Sequence, residues 1–168
     1  MKRFIAAVLV SGFSLSPAFA TPMYAGVQVD DNTAGVLFGF RINNAFAIEA
    51  HYSKSSSSNT NAGITIDTSK VGVGVAGLAL FPMKLNDVLS YNLYLKAGFE
   101  HTSSTDTYTI PDSVTLTLPY SGKIDSTKNQ ALFGGGAEYD FSKYLAGRMG
   151  VDFQGKKRSI YLNAIFKF

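Results

Sequence analysis

The sequence predicts an all-β fold, an eight-stranded antiparallel up-and-down transmembrane β-barrel, on three observations. Apolar and polar residues alternate with period two along eight separate runs. No run beyond the N-terminus approaches the roughly 18 consecutive apolar residues of a membrane helix, and none has the 3.6-residue period of an amphipathic one. Only 16% of the 168 residues are charged, against about 25% in a typical soluble domain. The chain also holds 16 Gly, 13 Phe and 9 Tyr but no Cys. That excludes a disulfide scaffold, a cysteine zinc site and a thiol nucleophile.

The N-terminus reads separately. Lys2 and Arg3 precede an apolar stretch from Phe4 to Leu15, and Ala18-Phe19-Ala20 forms an A-x-A cleavage site. Such a segment is a secretory signal peptide cut after Ala20, too short to serve as a membrane anchor. The expected division is 1–20 as signal peptide and 21–168 as barrel domain. The segment carries two of the 15 cationic residues and no acid, which leaves the mature chain nearly balanced against 12 acids. Such a balance gives no case for nucleic acid.

The runs are 23–30, 33–42, 45–53, 64–81, 89–101, 127–139, 143–153 and 159–168. In the second, Val36, Phe38, Phe40 and Ile42 oppose Gly35, Leu37, Gly39 and Arg41. In the third, Phe46, Ile48, Ala50 and Tyr52 oppose Ala47, Glu49, His51 and Ser53. The fourth is the weakest: Val71, Val73, Val75, Ala79 and Phe81 make a clean face, but its other face mixes Lys70 with Leu78 and Leu80, so a bulge or an overlong strand is expected. The fifth sets Tyr91, Leu93, Leu95, Ala97 and Phe99 against Asn92, Tyr94, Lys96, Gly98 and Glu100. The sixth places Gly134, Gly135 and Gly136 inside a strand, where they would permit close packing or curvature. The seventh opposes Leu145, Met149, Val151 and Phe153 to Arg148, Gly150 and Asp152. The last ends in alternation through Ile160, Leu162, Ala164, Phe166 and Phe168, with Ile165 the exception.

A soluble sandwich would alternate as well. The polar faces here, however, carry Glu, Arg, Lys and Tyr, as a packed lumen would. Tight turns at Asn43-Asn44 and Phe141-Ser142 alternate with longer polar connections at 54–63 and 102–126. Short periplasmic turns and longer external loops are the outer-membrane pattern. Aromatics sort to two belts: Tyr24, Phe40, Phe46, Phe81, Tyr91, Tyr139, Phe141, Phe166 and Phe168 to a periplasmic rim, and Tyr52, Phe99 and Phe153 to an outer rim.

The phrases GFRINNAFAIEAHYSK (39–54) and LFGGGAEYDFSKYLAGRMGVDF (132–153) resemble the β2–β3 and β6–β7 hairpins of the small eight-stranded outer-membrane barrels, the OmpA membrane-domain, OmpX and opacity-protein group. The ending NAIFKF resembles their C-terminal assembly signal, which implies that role for Phe166 and Phe168. The resemblance covers the mature chain and implies localisation in the bacterial cell outer membrane. It implies three kinds of partner: outer-membrane lipid and lipopolysaccharide, the barrel-assembly machinery, and host or cell-surface ligands met through external loops. The sequence given stops at Phe168, so the cell-wall anchoring of full OmpA is not carried over.

Glu49, Lys96, Glu138 and Arg148 are the mid-strand polar candidates for a lumen charge network. They read as a plug or as a gate. The plug is favoured, because intramembrane charges are expensive unless paired. His51, Ser53 and Glu100 share the inward parity near the outer mouth, and a Ser–His–Glu set would suit acyl-ester hydrolysis. His-x-Ser alone is a weak motif, and in the barrels that deacylate lipid A it lies late in the chain. No catalytic site, metal or cofactor is therefore expected. Tyr108, Ile110, Val114, Leu116 and Leu118 alternate with Thr around Pro111-Asp112, which reads as two β-prone arms of a protruding ribbon. The expected function is a structural or surface-interaction, adhesin-like role with a filled lumen and no open pore. The alternatives are a lipid A-modifying enzyme and a narrow small-solute channel.

Overall fold

The computed structural model describes residues 23–30, 32–61, 63–84, 90–110 and 120–168; the expected signal peptide at 1–20 lies outside them. Eight strands follow in order: β1 (Met23–Asp30), β2 (Thr33–Arg41), β3 (Phe46–Asn61), β4 (Ile64–Lys84), β5 (Ser90–Ile110), β6 (Tyr120–Asp140), β7 (Leu145–Gln154) and β8 (Lys157–Lys167). Each pairs antiparallel with the next, and β1 pairs with β8 from Tyr24↔Lys167 to Asp30↔Tyr161, so the sheet is a closed barrel. Closure satisfies backbone groups that hydrocarbon would leave unpaired.

Period two decides the two faces. Phe38, Ile48, Val75, Leu95, Phe133, Met149 and Leu162 point outward and are exposed, as lipid-facing residues must be. Leu37, Leu78, Tyr94, Leu132, Tyr161 and Ile165 point inward and are buried. Ile165, the exception in the last run, is a lumen residue. Tyr24 corrects an expectation: it is not a rim aromatic but a lumen residue, 2% exposed. Its place on the inward parity of β1 outweighs its nearness to the barrel end.

The tight turns have visible causes. Asn43 Oδ1 accepts the backbone N–H groups of Ala45 and Phe46, each at 2.8 Å. Ser142 Oγ accepts those of Tyr144 and Leu145 at 3.2 and 3.1 Å. Such Asx- and Ser-type turns give the chain its local reversal. At the opposite rim Gly63 and Gly155 take positive φ of 80° and 60°, a conformation open to glycine without strain.

The connection at 54–63 departs from expectation: most of it is strand, not loop. At 102–126 β5 runs on to Ile110 and β6 begins at Tyr120, so the β-prone arm expected through Tyr108 and Ile110 is strand. β2 stops pairing at Thr33↔Ser55, but β3 continues to Asn61. β7 stops at Leu132↔Gln154, but β6 already begins at Tyr120. Between them β3, β4, β5 and β6 stay paired through the row Thr60↔Thr65↔Thr109↔Ser121. A four-stranded wall therefore stands on one side of the outer rim. Its height above Thr102 is roughly 25–30 Å at about 3.3 Å per residue. Tyr108 lies on this wall with inward parity and is half-buried, and Ile110 ends β5. Val114, Leu116 and Leu118 lie outside the described residues.

The wall has its own polar ties. Thr105 Oγ1 donates to Asp125 Oδ1 at 2.6 Å across the pair Thr105↔Asp125. That hydrogen bond, followed by Lys123, holds the Asp125 carboxyl below its ordinary range. An NMR titration of Asp125 should therefore give a midpoint below the usual value of about 3.9, and Thr105→Val should raise it. The sign follows from the depressed native value. Whatever stability the contact adds is present above the unfolded-state pKa and fades as pH falls through the native one. A midpoint indifferent to Thr105→Val would mean that the strands do not pair there in solution.

Candidate functional site

Each strand sends every second side chain inward, so the register stacks the lumen in rows. Three consecutive rows run Asn92↔Glu138↔Arg148↔Asn163, then Tyr94↔Gly136↔Gly150↔Tyr161, then Lys96↔Gly134↔Asp152↔Ser159.

Arg148 is the centre of the first row. Its Nη1 donates to Glu49 Oε2 at 2.5 Å, its Nη2 to Glu138 Oε2 at 2.8 Å, and its Nε to the same oxygen at 3.2 Å. Tyr24 Oη also donates to Glu49 Oε2, at 3.1 Å. The guanidinium lies 5.5 and 5.1 Å from the ring centroids of Tyr24 and Tyr94, a cation–π distance. Glu138 has two further cations: Arg41, in a short contact, and Lys167 at 3.2 Å. Lys167 also reaches Asp140.

The second row separates two charged layers. Tyr94 and Tyr161 meet hydroxyl to hydroxyl at 2.5 Å. They reach each other over Gly136 and Gly150, which lie between them in the row. A Cβ on Gly136 would fall 2.6 Å from both Gly150 Cα and Tyr94 Oη. The glycine run of β6 thus leaves room for the tyrosine bridge.

Above it Lys96 Nζ donates to Asp152 Oδ2 at 2.9 Å. Lys96 therefore does not join the Arg148 cluster; its partner is Asp152, which shares its row. Of the four expected network residues, the fold brings Glu49, Glu138 and Arg148 together and sets Lys96 one layer outward. Asp152, Arg41, Lys167 and the three tyrosines were not singled out from sequence as partners. Their inward parity was readable, but the register that joins them was not.

His51, Ser53 and Glu100 lie at the outer end of the lumen. His51 Nε2 and Glu100 Oε2 are 2.9 Å apart. Glu100 also accepts Gln154 Nε2 at 2.6 Å and Thr102 Oγ1 at 3.1 Å. Ser53 lines the same mouth cavity of about 140 Å³ but makes no hydrogen bond to His51. Its Oγ sits beside Gly72, where a Cβ would come within 2.6 Å. A larger depression of about 390 Å³ opens at the periplasmic end, lined by Tyr24, Arg41, Lys143, Lys167 and Phe168 among others. The two cavities share no lining residue, and the three filled rows lie between them.

The aromatic end of β8 lies at the periplasmic rim. Phe166 and Phe168 face outward, and the Phe168 N–H donates to the Met23 carbonyl at 3.0 Å.

The fold has solved relatives. The β-barrel domain of OprF from Pseudomonas aeruginosa superposes with a TM-score of 0.60 at 14% identity, covering 88% of this chain and 96% of that one. Neisserial surface protein A gives 0.54 at 14% identity, covering 88% and 96%. Ail, the attachment invasion locus protein of Yersinia pestis, gives 0.51 at 11% identity, covering 88% and 95%. No curated protein matches the sequence. The sequence pattern of the outer membrane protein beta-barrel domain matches residues 5–152. With the closed eight-stranded ring, that match settles the family: the chain belongs to the outer membrane protein β-barrel family and is a protein of the bacterial outer membrane.

Proposed function

We propose that this protein is a structural and surface-interaction component of the outer membrane, with a sealed lumen and a binding wall. One observation carries the reading: four strands stay paired far past the rim, where the bilayer no longer requires a strand. The filled rows between the two cavities support a barrel that conducts no solute, and Ser53 lies outside hydrogen-bond contact with His51, which favours binding over acyl transfer. Ail was also solved with a heparin analogue, sucrose octasulfate. Cell-surface ligands are accordingly the partners to test on the wall.

Ser103 and Thr127 face each other across β5 and β6. Replacing 104–126 with Asn-Gly would close them by a two-residue hairpin turn. Cells displaying the shortened protein should keep normal barrel levels and lose adherence to host-cell monolayers. Unchanged adherence would remove the wall from the function. Planar bilayers containing the intact protein should show no channel openings; steady openings would favour the channel instead.

Phe166 and Phe168 have a separate role in this reading, as the signal that the assembly machinery recognises. One rim side chain adds little packing, so deleting Phe168 should reduce outer-membrane yield far more than it lowers the stability of the barrel refolded in detergent. Membrane fractionation would check this, and a normal yield would dismiss the signal.

A further inference from the structure

The wall ends in two bare edges. β6 pairs with β5 from Tyr120 to Tyr139, but its other side meets β7 only from Leu132 downward. From Ser121 to Ala131 that side pairs with no strand among the described residues. At the far side of the wall β3 is bare in the same way from Ser56 to Asn61. A row of open backbone N–H and C=O groups is a template for another strand, and proteins commonly blunt it with lysine. The β6 edge has Lys123, but Asp125 follows two residues on, with Ile124 between them. Lys123 and Asp125 share one face of the strand, lie 3.2 Å apart and are each 61% exposed. Ile124 takes the other face and is 53% exposed.

This triplet is its own complement. When a second β6 lies antiparallel with Ile124 opposite Ile124, each Lys123 falls opposite the Asp125 of the other copy. Two opposite-charge pairs then form on one face and an isoleucine pair on the other, the cross-strand contacts that stabilise a sheet. The direction of β6 decides where the second copy stands. The strand descends from the top of the wall to the membrane, so two β6 edges side by side in one membrane run parallel, with Lys123 beside Lys123. There β3 would meet β6 antiparallel, but its bare stretch from Ser56 to Asn61 has no charge to answer Lys123 or Asp125. Barrels in two facing membranes present their β6 edges antiparallel. In that register the first residue, Tyr120, reaches the partner's Lys128, which stops short of Leu132, where the partner's β7 joins.

We propose that the β6 edge joins a second copy of this chain in a facing membrane, by an isologous strand pairing centred on Ile124. So short an edge buries little beside a stable dimer interface, so one contact is weak. Many copies on two apposed surfaces make the link effective by avidity. The pairing uses the edge of the wall, not its faces, and does not depend on the cell-surface ligands proposed above.

The test uses the full barrel in two populations of phosphatidylcholine vesicles, one with donor and one with acceptor dye, so that energy transfer reads tethering without any other ligand. Wild-type vesicles should tether to one another. Lys123→Glu on both sides, or Asp125→Lys on both sides, puts like charges opposite each other and should lower tethering on the order of tenfold or more. Mixing Lys123→Glu vesicles with Asp125→Lys vesicles should restore it, because opposite charges face each other again. Heat-dependent gel mobility reports folding of every variant. A second measurement fixes the register. The chain has no cysteine, and directly opposed Cα atoms of antiparallel strands lie about 4.5–5.5 Å apart, within reach of a disulfide. Ile124→Cys should therefore give disulfide-linked dimers between vesicles under mild oxidation, whereas Ser126→Cys, opposite Gly122 in this register, should not. Wild-type vesicles that do not tether to one another, whatever other strand the edge then accepts, overturn the proposal. So do charge variants that tether as the wild type does, a mixture that fails to recover, or equal cross-linking from both cysteines.

Discussion

Arg148→Ala should lower the unfolding free energy by about 3–5 kcal/mol, the usual result of removing one partner from a buried ion pair. The damage should fall unevenly on its two carboxylates. Glu138 keeps Arg41 and Lys167, whereas Glu49 keeps, among the described residues, only the hydroxyl of Tyr24. Adding Glu49→Gln to Arg148→Ala should therefore recover part of the loss, because it removes the stranded charge, while adding Glu138→Gln should recover less. Groups in one network are non-additive in this way. Urea titration in lipid vesicles measures these three variants together with Glu49→Gln and Glu138→Gln alone. Strict additivity, or equal recovery from either glutamate change, would contradict the assigned contacts.

The second large effect belongs to a residue with no side chain. Gly136→Val should destabilise the barrel by about 3 kcal/mol or more, at or beyond the upper end for overpacking. The new Cβ would meet the Met149 carbonyl and Gly150 Cα as well as the Tyr94 hydroxyl. Two of these obstacles are backbone and have no rotamer to escape into. Gly77→Ala is the matching control, since the nearest atom to its Cβ is 4.0 Å away, and it should be close to neutral. The same urea titration applies. A Gly136→Val barrel as stable as the Gly77→Ala one would mean that the tyrosine bridge is not packed against β6.

How far the sequence revealed this structure depends on what each residue faces. Inside the bilayer one side of every strand must be apolar, so hydropathy marks both strand and face. Glu49, Glu138 and Arg148 could be placed in the lumen on parity alone. The same parity held Tyr24, and the rim assignment failed because position along the strand was weighed above face. Above the bilayer neither side need be apolar. The Ser-rich stretch from Ser55 to Asn61 keeps its backbone ladder but loses the alternation, so the strand there reads as a loop, whereas Tyr108 and Ile110 alternate with Thr at the end of β5 and read as a ribbon arm. The link between Lys96 and Asp152 was hidden for another reason. Both faced inward, but which inward residues share a row is set by the stagger of β5, β6 and β7, which no single strand encodes.

The bond from Phe168 to Met23 bears on more than the tidiness of the rim. It stitches the first described strand to the last, and with β1 paired to β8 the finished object is a circle. A circle has no starting point: every strand has two neighbours, and nothing in the completed hydrogen-bond pattern distinguishes β1 from β5 as the place to begin. In the reading proposed above, that place is marked outside the architecture, by the aromatic residues at one end of the linear chain. The circle also leaves no stable part-way form, because seven strands in hydrocarbon would present two raw edges. Insertion into the membrane and completion of the fold are consequently the same event.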